Sequence, residues 1–216
     1  MSDPPANPKI CHITHVNNLP GIIQADGLWS DAKRIELGLG TNLIGMSRIK
    51  QRRLTEIEVT CHPGTKVGQY VPFFYCPRSI MLYILYRGNH DDIDYREGQG
   101  PIVHLVADFD ASIQWATEQG VRWALSPTNA GALYTSFYNQ RDDLKRIDWQ
   151  AVANRDFRDP TVKEGKQAEF LMFDWFPWHL VEQIGVFDQT ILKLAQKHVA
   201  DASHQPTVRV ENAWYF

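Results

Sequence analysis

Short apolar runs alternate with polar turns along the chain, and their spacing predicts both strands and helices. The β-branched run Ile102–Ala107 ends at Asp108 and predicts a buried strand. The apolar residues of Gln189–Val199 recur at helical spacing and predict an amphipathic helix. Further strands are expected over Lys9–Thr14, Glu56–Thr60, Val71–Tyr75, Val121–Leu125, Ala168–Phe173, Val181–Val186 and part of the tail Thr207–Phe216.

The remaining helices are predicted to be short, and two long polar segments should be loops. Helical patterns are expected after Asn18 and over Ile44–Leu54, Ser79–Leu85, Ile113–Glu118 and Tyr138–Val152. We expect a mobile loop from Ser30 towards Arg53, and an exposed loop over Asn154–Gln167. Because strands and helices do not alternate regularly, we expect an α+β domain, a split antiparallel β-sandwich with short flanking helices.

The composition limits the classes of protein to which the chain can belong. The chain has 216 residues, of which 44% are hydrophobic, so we expect one domain over residues 1–216. The net charge of −3 excludes a global cationic field, so any contact with nucleic acid must use a local patch. Three widely spaced cysteines fit a reducing, cytoplasmic setting, and no run is apolar enough to predict a membrane span.

Two motifs that often signal cofactors are incomplete. Cys11-His12-x-x-His15 offers a metal pair, but no second cluster has matching spacing, so no metal is expected. Gly38-x-Gly40 lacks the third glycine of a dinucleotide fingerprint and does not lie between a strand and a long helix. A nicotinamide dinucleotide would therefore have to bind in some other way.

Two small groups of residues could bind a ligand. His12 and Thr14 share one face of a strand, so they either hydrogen-bond a common ligand or serve as buried structural residues. Four cations lie close together, and they either form a solvated face or bind pyrophosphate or a DNA strand. They are Arg48, Lys50, Arg52 and Arg53.

Glu169 is the most informative carboxylate. It lies in an otherwise apolar strand directly after a polar loop, where an unpaired buried charge would cost several kcal/mol. It therefore either serves a site at the sheet edge or pairs with a structural partner such as arginine. The preceding loop alternates cations with one aromatic ring, which fits either a platform for bases or simple solubility. These residues are Arg155, Phe157, Arg158, Lys163 and Lys166.

Taken together, several segments resemble the DarT family of DNA ADP-ribosyltransferase toxins. They are His12-Ile13-Thr14, the loop leading to Arg52-Arg53, the stretch YVPFFYCPRSIML (70–82) and the strand that contains Glu169. The resemblance implies an ADP-ribosyltransferase fold that takes NAD+ and transfers ADP-ribose to thymidine, at N3, in single-stranded DNA, releasing nicotinamide. It also implies a cognate antitoxin with ADP-ribosylglycohydrolase (macrodomain) activity that reverses the mark and binds the toxin.

The resemblance also implies roles for particular residues. Glu169 matches the catalytic glutamate and Arg52 the active-site arginine, although the adjacent Arg53 leaves the register open by one residue. The implied NAD+-binding residues are His12, Ile13, Thr14, Gly21, Leu28, Trp29, Arg52 and Tyr75, with Phe74 an alternative ring to Tyr75. The implied DNA-binding residues are Arg53, Arg155, Arg158 and Lys166. Residues 34–52 would close over NAD+, and residues 115–168 would contain the substrate loop.

Two other functions remain compatible with the residues alone. One is a noncatalytic nucleic-acid-binding or protein-binding module on the same fold. The other is an ADP-ribosyltransferase that acts on RNA, protein or water.

Overall fold

The structure, a computed structural model, describes residues 3–40, 42 and 44–216. Its strands are β1 (Lys9–His15), β2 (Gly27–Trp29), β3 (Tyr70–Phe74), β4 (Ile102–Asp108), β5 (Trp123–Ser126), β6 (Glu169–Phe173), β7 (Trp175–Pro177), β8 (Val181–Val186) and β9 (Thr207–Val210). Its α-helices are α1 (Leu19–Gln24), α2 (Asp31–Glu36), α3 (Ser47–Thr55), α4 (Ile80–Arg87), α5 (Phe109–Glu118), α6 (Trp149–Ala153), α7 (Pro160–Gly165) and α8 (Gln189–Val199).

The strands form a large sheet and a small one. The large sheet has the order β5-β6-β3-β1-β4-β8-β9 and is antiparallel except for the parallel pair β8-β9. The small sheet pairs β2 with β7. The rings of Phe73 in β3 and Phe176 in β7 lie 4.5 Å apart, so the small sheet packs on one face of the large sheet. The expected α+β class is confirmed.

Strand β6 lies inside the large sheet, between β5 and β3, which fixes the position of Glu169. Glu169 is the first residue of β6, opposite Phe74 on one side and Ser126 on the other. The sequence placed this carboxylate at a sheet edge, whereas it occupies the end of an interior strand. Phe170, the next residue, faces the main core, so alternation along β6 turns Glu169 to the opposite face.

Strongly patterned elements match their predictions. Helix α8 has the predicted bounds, and β1, β3, β4 and β8 differ from theirs by at most a residue or two at their ends. The strand expected over Glu56–Thr60 does not form, because this segment makes only an isolated bridge from Glu58 to Lys66. Ile57 and Val59 are nevertheless buried. The alternation of apolar and polar residues therefore reflects which side chains are buried, although no neighbouring strand pairs with this segment.

The polar segments contain helices that their composition did not indicate. Helix α2 lies inside the loop expected from Ser30, and the Ser30 hydroxyl caps it by accepting a hydrogen bond from the Lys33 amide. Helix α7 lies inside the loop expected over Asn154–Gln167, capped by Asp159 with a proline in its first turn. The expected mobile loop also includes Thr41 and Leu43, which lie outside the described residues.

The pattern over Tyr138–Val152 corresponds to a 3₁₀ turn, Arg141–Arg146, and the short α6 rather than to one helix. In the part of the chain that the structure describes, no helix has the length and apolar character that crossing a bilayer requires.

Candidate active site

A cleft of about 300 Å³ opens where the ends of β1, β3 and β6 meet helices α2, α3 and α4. One wall is largely apolar, with Trp29 from β2, Phe74 from β3 and Met81 from α4. The polar lining includes Arg53 and Glu169, and Glu169 lies across the strand pair from Phe74. A concave apolar site with a few converging polar groups is the usual form of a small-molecule site.

Arg53 and Glu169 form a bidentate ion pair in the lining of the cleft. Arg53 Nη1 donates to Glu169 Oε1 at 3.2 Å, and Nη2 donates to Oε2 at 2.9 Å. The backbone amide of Ala130 donates to the same Oε1 at 2.9 Å. Glu169 is only 2% exposed, so these three donors fix its carboxylate in one orientation.

The four clustered cations lie on different faces of helix α3. Lys50 and Arg53 line the cleft. Arg52 points away from the cleft and pairs with Glu56 at 3.7 Å, while Arg48 is largely exposed and pairs with Asp92. The sequence assigned the active-site role to Arg52 and a DNA contact to Arg53. The structure instead places Arg53 beside Glu169, because a helical turn of 3.6 residues points neighbouring residues in different directions.

His12 and Thr14 both line the cleft, as their alternation predicted. His12 Nδ1 lies 2.8 Å from the carbonyl oxygen of Pro72, which can only accept, so Nδ1 carries the proton. Burial lowers the pKa of His12 to about 4, opposed by its hydrogen bond to Pro72. The ring is therefore neutral at physiological pH, and Nε2 is left as a hydrogen-bond acceptor.

Asn18 ties the loop beyond α2 to β1. Its Nδ2 donates to Thr14 Oγ1 at 3.0 Å and to the Asn42 carbonyl at 3.1 Å. The Asn42 amide in turn donates to Asn18 Oδ1 at 2.9 Å. Both asparagines line the cleft, so this clamp holds one point of the loop against the strand that contributes His12 and Thr14.

Asp31 links two helices at the cleft. Its Oδ1 accepts from Arg34 Nη1 at 3.0 Å within α2 and from Lys50 Nζ at 3.2 Å on α3. All three side chains line the cleft. Arg34 and Lys50 thus bring two cationic side chains to the lining of the cleft, which suits a phosphate-containing ligand.

A loop between β5 and Tyr138 rises beside Glu169. Its base is held by the Ala130 amide on Glu169 and by Asn129 Nδ2, which donates to Gln167 Oε1 at 3.0 Å. Its tip carries two exposed apolar side chains, Leu133 at 68% and Tyr134 at 99%. The loop thus has a fixed base at the carboxylate and a tip available to a partner molecule.

Several residues expected to bind NAD+ are not among those lining the cleft. Tyr75 packs with its ring edge-on to Trp149 at 5.4 Å, and burial raises its pKa well above the ordinary value. Phe74, on the opposite face of β3, lines the cleft in its place. Gly21 is also absent from the lining, to which Ile22 contributes instead, whereas Ile13, Leu28 and Trp29 line the cleft as expected.

The cations expected to bind DNA have different surroundings. Lys166 is 3% exposed and donates to the Val152 carbonyl at 2.8 Å, so it is not available at the surface. Arg158 is exposed but forms a bidentate pair with Asp156 in the same loop. Arg155 is exposed and forms no ion pair with the described residues.

Several polar residues of the cleft were not singled out from the sequence. They include Asn18, Asp31, Asn42, Asn129 and Gln167. Gln167 precedes Glu169 by two positions, and the same alternation that placed His12 beside Thr14 could have indicated it. No comparable signal marks Asn129, because it lies in an irregular loop. Among the residues described, no three His, Cys, Asp or Glu side chains are grouped so as to hold a metal ion.

Comparison with known proteins identifies the class and the family. A family model described as "ssDNA thymidine ADP-ribosyltransferase, DarT" matches residues 11–216. A Thermus aquaticus protein named DNA ADP-ribosyl transferase is 37% identical over 98% of this chain and 90% of its own length. A Mycobacterium tuberculosis protein of the same name is 30% identical over 81% of this chain and 74% of its own length.

Solved structures of related proteins are also similar to this chain. Thermus sp. 2.9 DarT in complex with ADP-ribosylated ssDNA superposes with a TM-score of 0.89 at 32% identity, covering 100% of this chain and 99% of that one. The same protein in complex with NAD+ gives 0.84 at 31% identity, covering 99% and 100%.

The fold is therefore that of an ADP-ribosyltransferase. The chain belongs to the DarT family of ssDNA thymidine ADP-ribosyltransferases. The expected enzyme class, the use of NAD+ and the single-stranded DNA substrate are confirmed.

Proposed function

We propose that this cleft binds NAD+, and that Glu169 and Arg53 together transfer its ADP-ribose to N3 of a thymidine base. The observation that carries the proposal is the buried carboxylate of Glu169, which lines the cleft and is held by Arg53 and the Ala130 amide. A fixed carboxylate can stabilise positive charge that develops on the ribose.

The cleft offers suitable groups for each part of NAD+. The apolar wall of Trp29, Phe74 and Met81 suits the nicotinamide ring, and His12 Nε2 and Thr14 Oγ1 can hydrogen-bond its amide and ribose. Lys50 and Arg34, joined through Asp31, would face the pyrophosphate. Asn18 and Asn42 would hold the loop of residues 34–52 against the bound dinucleotide.

The reaction breaks the bond between ribose C1′ and nicotinamide and forms one between C1′ and thymine N3. As nicotinamide leaves with the bonding electrons, its ring becomes neutral and positive charge builds on the ribose. Glu169 accepts a hydrogen bond from a ribose hydroxyl and lowers the energy of this cation. Arg53 and the Ala130 amide orient the carboxylate before NAD+ arrives, so little reorganisation is needed during the reaction.

Thymine N3 is a weak nucleophile until it loses its proton. Arg53 lies beside Glu169 and can donate hydrogen bonds to the base as negative charge develops on it, while the N3 proton passes to solvent. Because a guanidinium stays protonated in proteins, we assign Arg53 to stabilising the anion rather than to accepting the proton.

The loop between β5 and Tyr138 is the part of residues 115–168 best placed to present the base. Its base is bonded to Glu169, and its tip exposes Tyr134. An exposed ring next to the reacting carboxylate can stack on an unpaired base, and a single strand costs no unpairing energy.

The test is the transfer reaction itself. Purified protein is incubated with NAD+ and, separately, with a thymidine oligonucleotide, an RNA and a protein mixture, and products are identified by mass spectrometry. We expect one ADP-ribose on the thymidine of the oligonucleotide. Glu169→Ala should abolish this product while thermal unfolding remains cooperative. Modification of RNA or protein alone would overturn the proposed acceptor, and full activity of Glu169→Ala would overturn its role.

We further infer that the protein acts in the cytoplasm and has a cognate antitoxin that removes the modification. Three free cysteines, two of them buried, suit a reducing compartment, in which DNA and NAD+ are both present. Expression of the protein alone should arrest growth, and co-expression with a macrodomain ADP-ribosylglycohydrolase should restore growth and remove ADP-ribose from the DNA. Continued toxicity with that partner present would contradict the inference.

A further inference from the structure

Four aromatic rings from three separate parts of the chain meet on the surface next to the cleft. We call Tyr83, Tyr86, Phe157 and Phe216 the aromatic platform. Tyr83 lies 5.1 Å from both Phe157 and Phe216, measured between ring centroids. Tyr86 stacks on Phe216 at 6.1 Å with an angle of 25° and is 49% exposed. Clusters of large aromatic rings are uncommon at protein surfaces and often mark a binding site.

The aromatic platform adjoins the cleft through α4. Ile80 and Ile84 of this helix line the cleft, and Tyr83 lies between them in sequence. Tyr83 directly precedes Ile84, so its backbone lies about 4 Å from that of a cleft-lining residue, and its ring points to a neighbouring face of the helix. Phe157 packs edge-on against Tyr83 at 5.1 Å and thereby extends the aromatic platform from this face of α4.

Two arginines border these rings without acidic partners. Arg78 lies 4.1 Å over the ring of Phe216 and donates to the Tyr215 carbonyl. Burial, and next the nearby charge of Arg155, lower the pKa of Arg78. Within the described residues neither arginine forms an ion pair. Two adjacent cations without a carboxylate favour an anionic ligand.

We infer that the aromatic platform and its two arginines bind the nucleotides that flank the target thymidine in single-stranded DNA. The inference rests on the proposed function for the position of the target base in the cleft. The exposed ring of Tyr86, held by its packing on Phe216, supplies a stacking surface for an unpaired base, and the arginines contact neighbouring phosphates. Proteins that bind single strands without reading their sequence use this combination of stacking and cations. An overall charge of −3 makes such a local patch necessary.

Binding of DNA in the absence of NAD+ tests the inference separately from the reaction. A fluorescein-labelled oligonucleotide of about twelve nucleotides with one thymidine is titrated at several salt concentrations. We expect Tyr86→Ala to raise Kd about tenfold and Tyr86→Phe to leave it nearly unchanged, because the ring provides the stacking surface. Arg155→Ala should raise Kd and reduce the slope of log Kd against log salt by about 0.7.

The control is Lys193→Ala, which removes an exposed cation from α8, away from the aromatic platform; its Kd and salt slope should match wild type. In transfer assays, the platform variants should raise KM for the long oligonucleotide but not for a trinucleotide or for NAD+. Unchanged Kd and unchanged KM in Tyr86→Ala and Arg155→Ala would overturn the inference. The aromatic platform would then be a candidate binding site for a partner protein instead. Wild-type binding that depends on Tyr86, but without any transfer, would support the aromatic platform and refute the proposed function.

Discussion

Arg53 and Glu169, which are 116 positions apart in the chain, face each other through two parallel hydrogen bonds of 3.2 and 2.9 Å. This pair joins α3 to the end of β6. It fixes which of two neighbouring arginines belongs to the active site, and it orients the carboxylate before any substrate binds.

The first prediction separates the adjacent arginines. Arg53→Ala should lower kcat for ADP-ribose transfer by about a hundredfold or more, because it removes the charge opposite Glu169. Arg52→Ala should stay within about threefold of wild type, because Arg52 does not line the cleft and, among the described residues, its ion pair is with Glu56. Single-turnover transfer to a thymidine oligonucleotide measures both. The reverse order of effects would return the role to Arg52.

The second prediction concerns stability. Removing one member of a buried pair leaves an uncompensated charge, so Arg53→Ala should lower the free energy of unfolding by roughly 3 kcal/mol. Combining it with Glu169→Gln should recover part of this loss, since the amide is neutral and can still accept from the Ala130 amide. Urea unfolding of the two single variants and the double variant measures the coupling. Purely additive losses would show that the pair is not coupled in the folded protein.

The third prediction concerns the clamp at Asn18. Asn18→Ala removes its hydrogen bonds to Thr14 and Asn42, so KM for NAD+ should rise by about fivefold, equivalent to about 1 kcal/mol, with kcat little changed. Asn17→Ala is the matched control, because that exposed side chain does not line the cleft. A fall in kcat without a change in KM would contradict a role in binding.

The fourth prediction concerns the exposed ring of the substrate loop. Tyr134→Ala should raise KM for the oligonucleotide about tenfold and leave hydrolysis of NAD+ by water unchanged, because Tyr134 is exposed and is not among the residues that line the cleft. Tyr134→Phe should retain wild-type behaviour if stacking is the contact. Equal losses in hydrolysis and transfer would place Tyr134 in the NAD+ site instead.

The fifth prediction concerns acid stability. Burial lowers the pKa of both His12 and His104 to about 4, while the unfolded chain takes up these protons near 6.5. The unfolded state therefore binds more protons between these values, so stability is full above about pH 6.5 and falls as the pH decreases towards 4. Fully buried His104 should contribute roughly 3 kcal/mol to this loss, and His12, whose ring is partly exposed, somewhat less.

Urea unfolding between pH 7 and pH 4.5 measures the acid effect. His12→Gln should reduce the dependence on pH, because one of the two neutral imidazoles is absent. His179→Gln, at an exposed position, should not. Identical pH profiles for wild type and His12→Gln would show that His12 is not held neutral by the fold.

The sequence by itself determined the class of fold and much of the cleft. Apolar runs predicted β4 and β6, and helical spacing of apolar residues predicted α8. The alternation of side chains along β1 placed His12 and Thr14 on the same face, and both line the cleft. Glu169 was identified because a charge in an apolar strand needs a compensating environment. These signals are local, since each depends on the order of polar and apolar residues within one element.

Only the tertiary structure decided the contacts between distant segments. It selected Arg53 over Arg52, and Phe74 over Tyr75, because the direction of a side chain depends on how its whole element is rotated against its neighbours. It buried Lys166, which the composition of its loop marked as exposed. It also brought Asn129 to Gln167 and Phe216 to Tyr83, since chain segments far apart in sequence meet only after the core has packed.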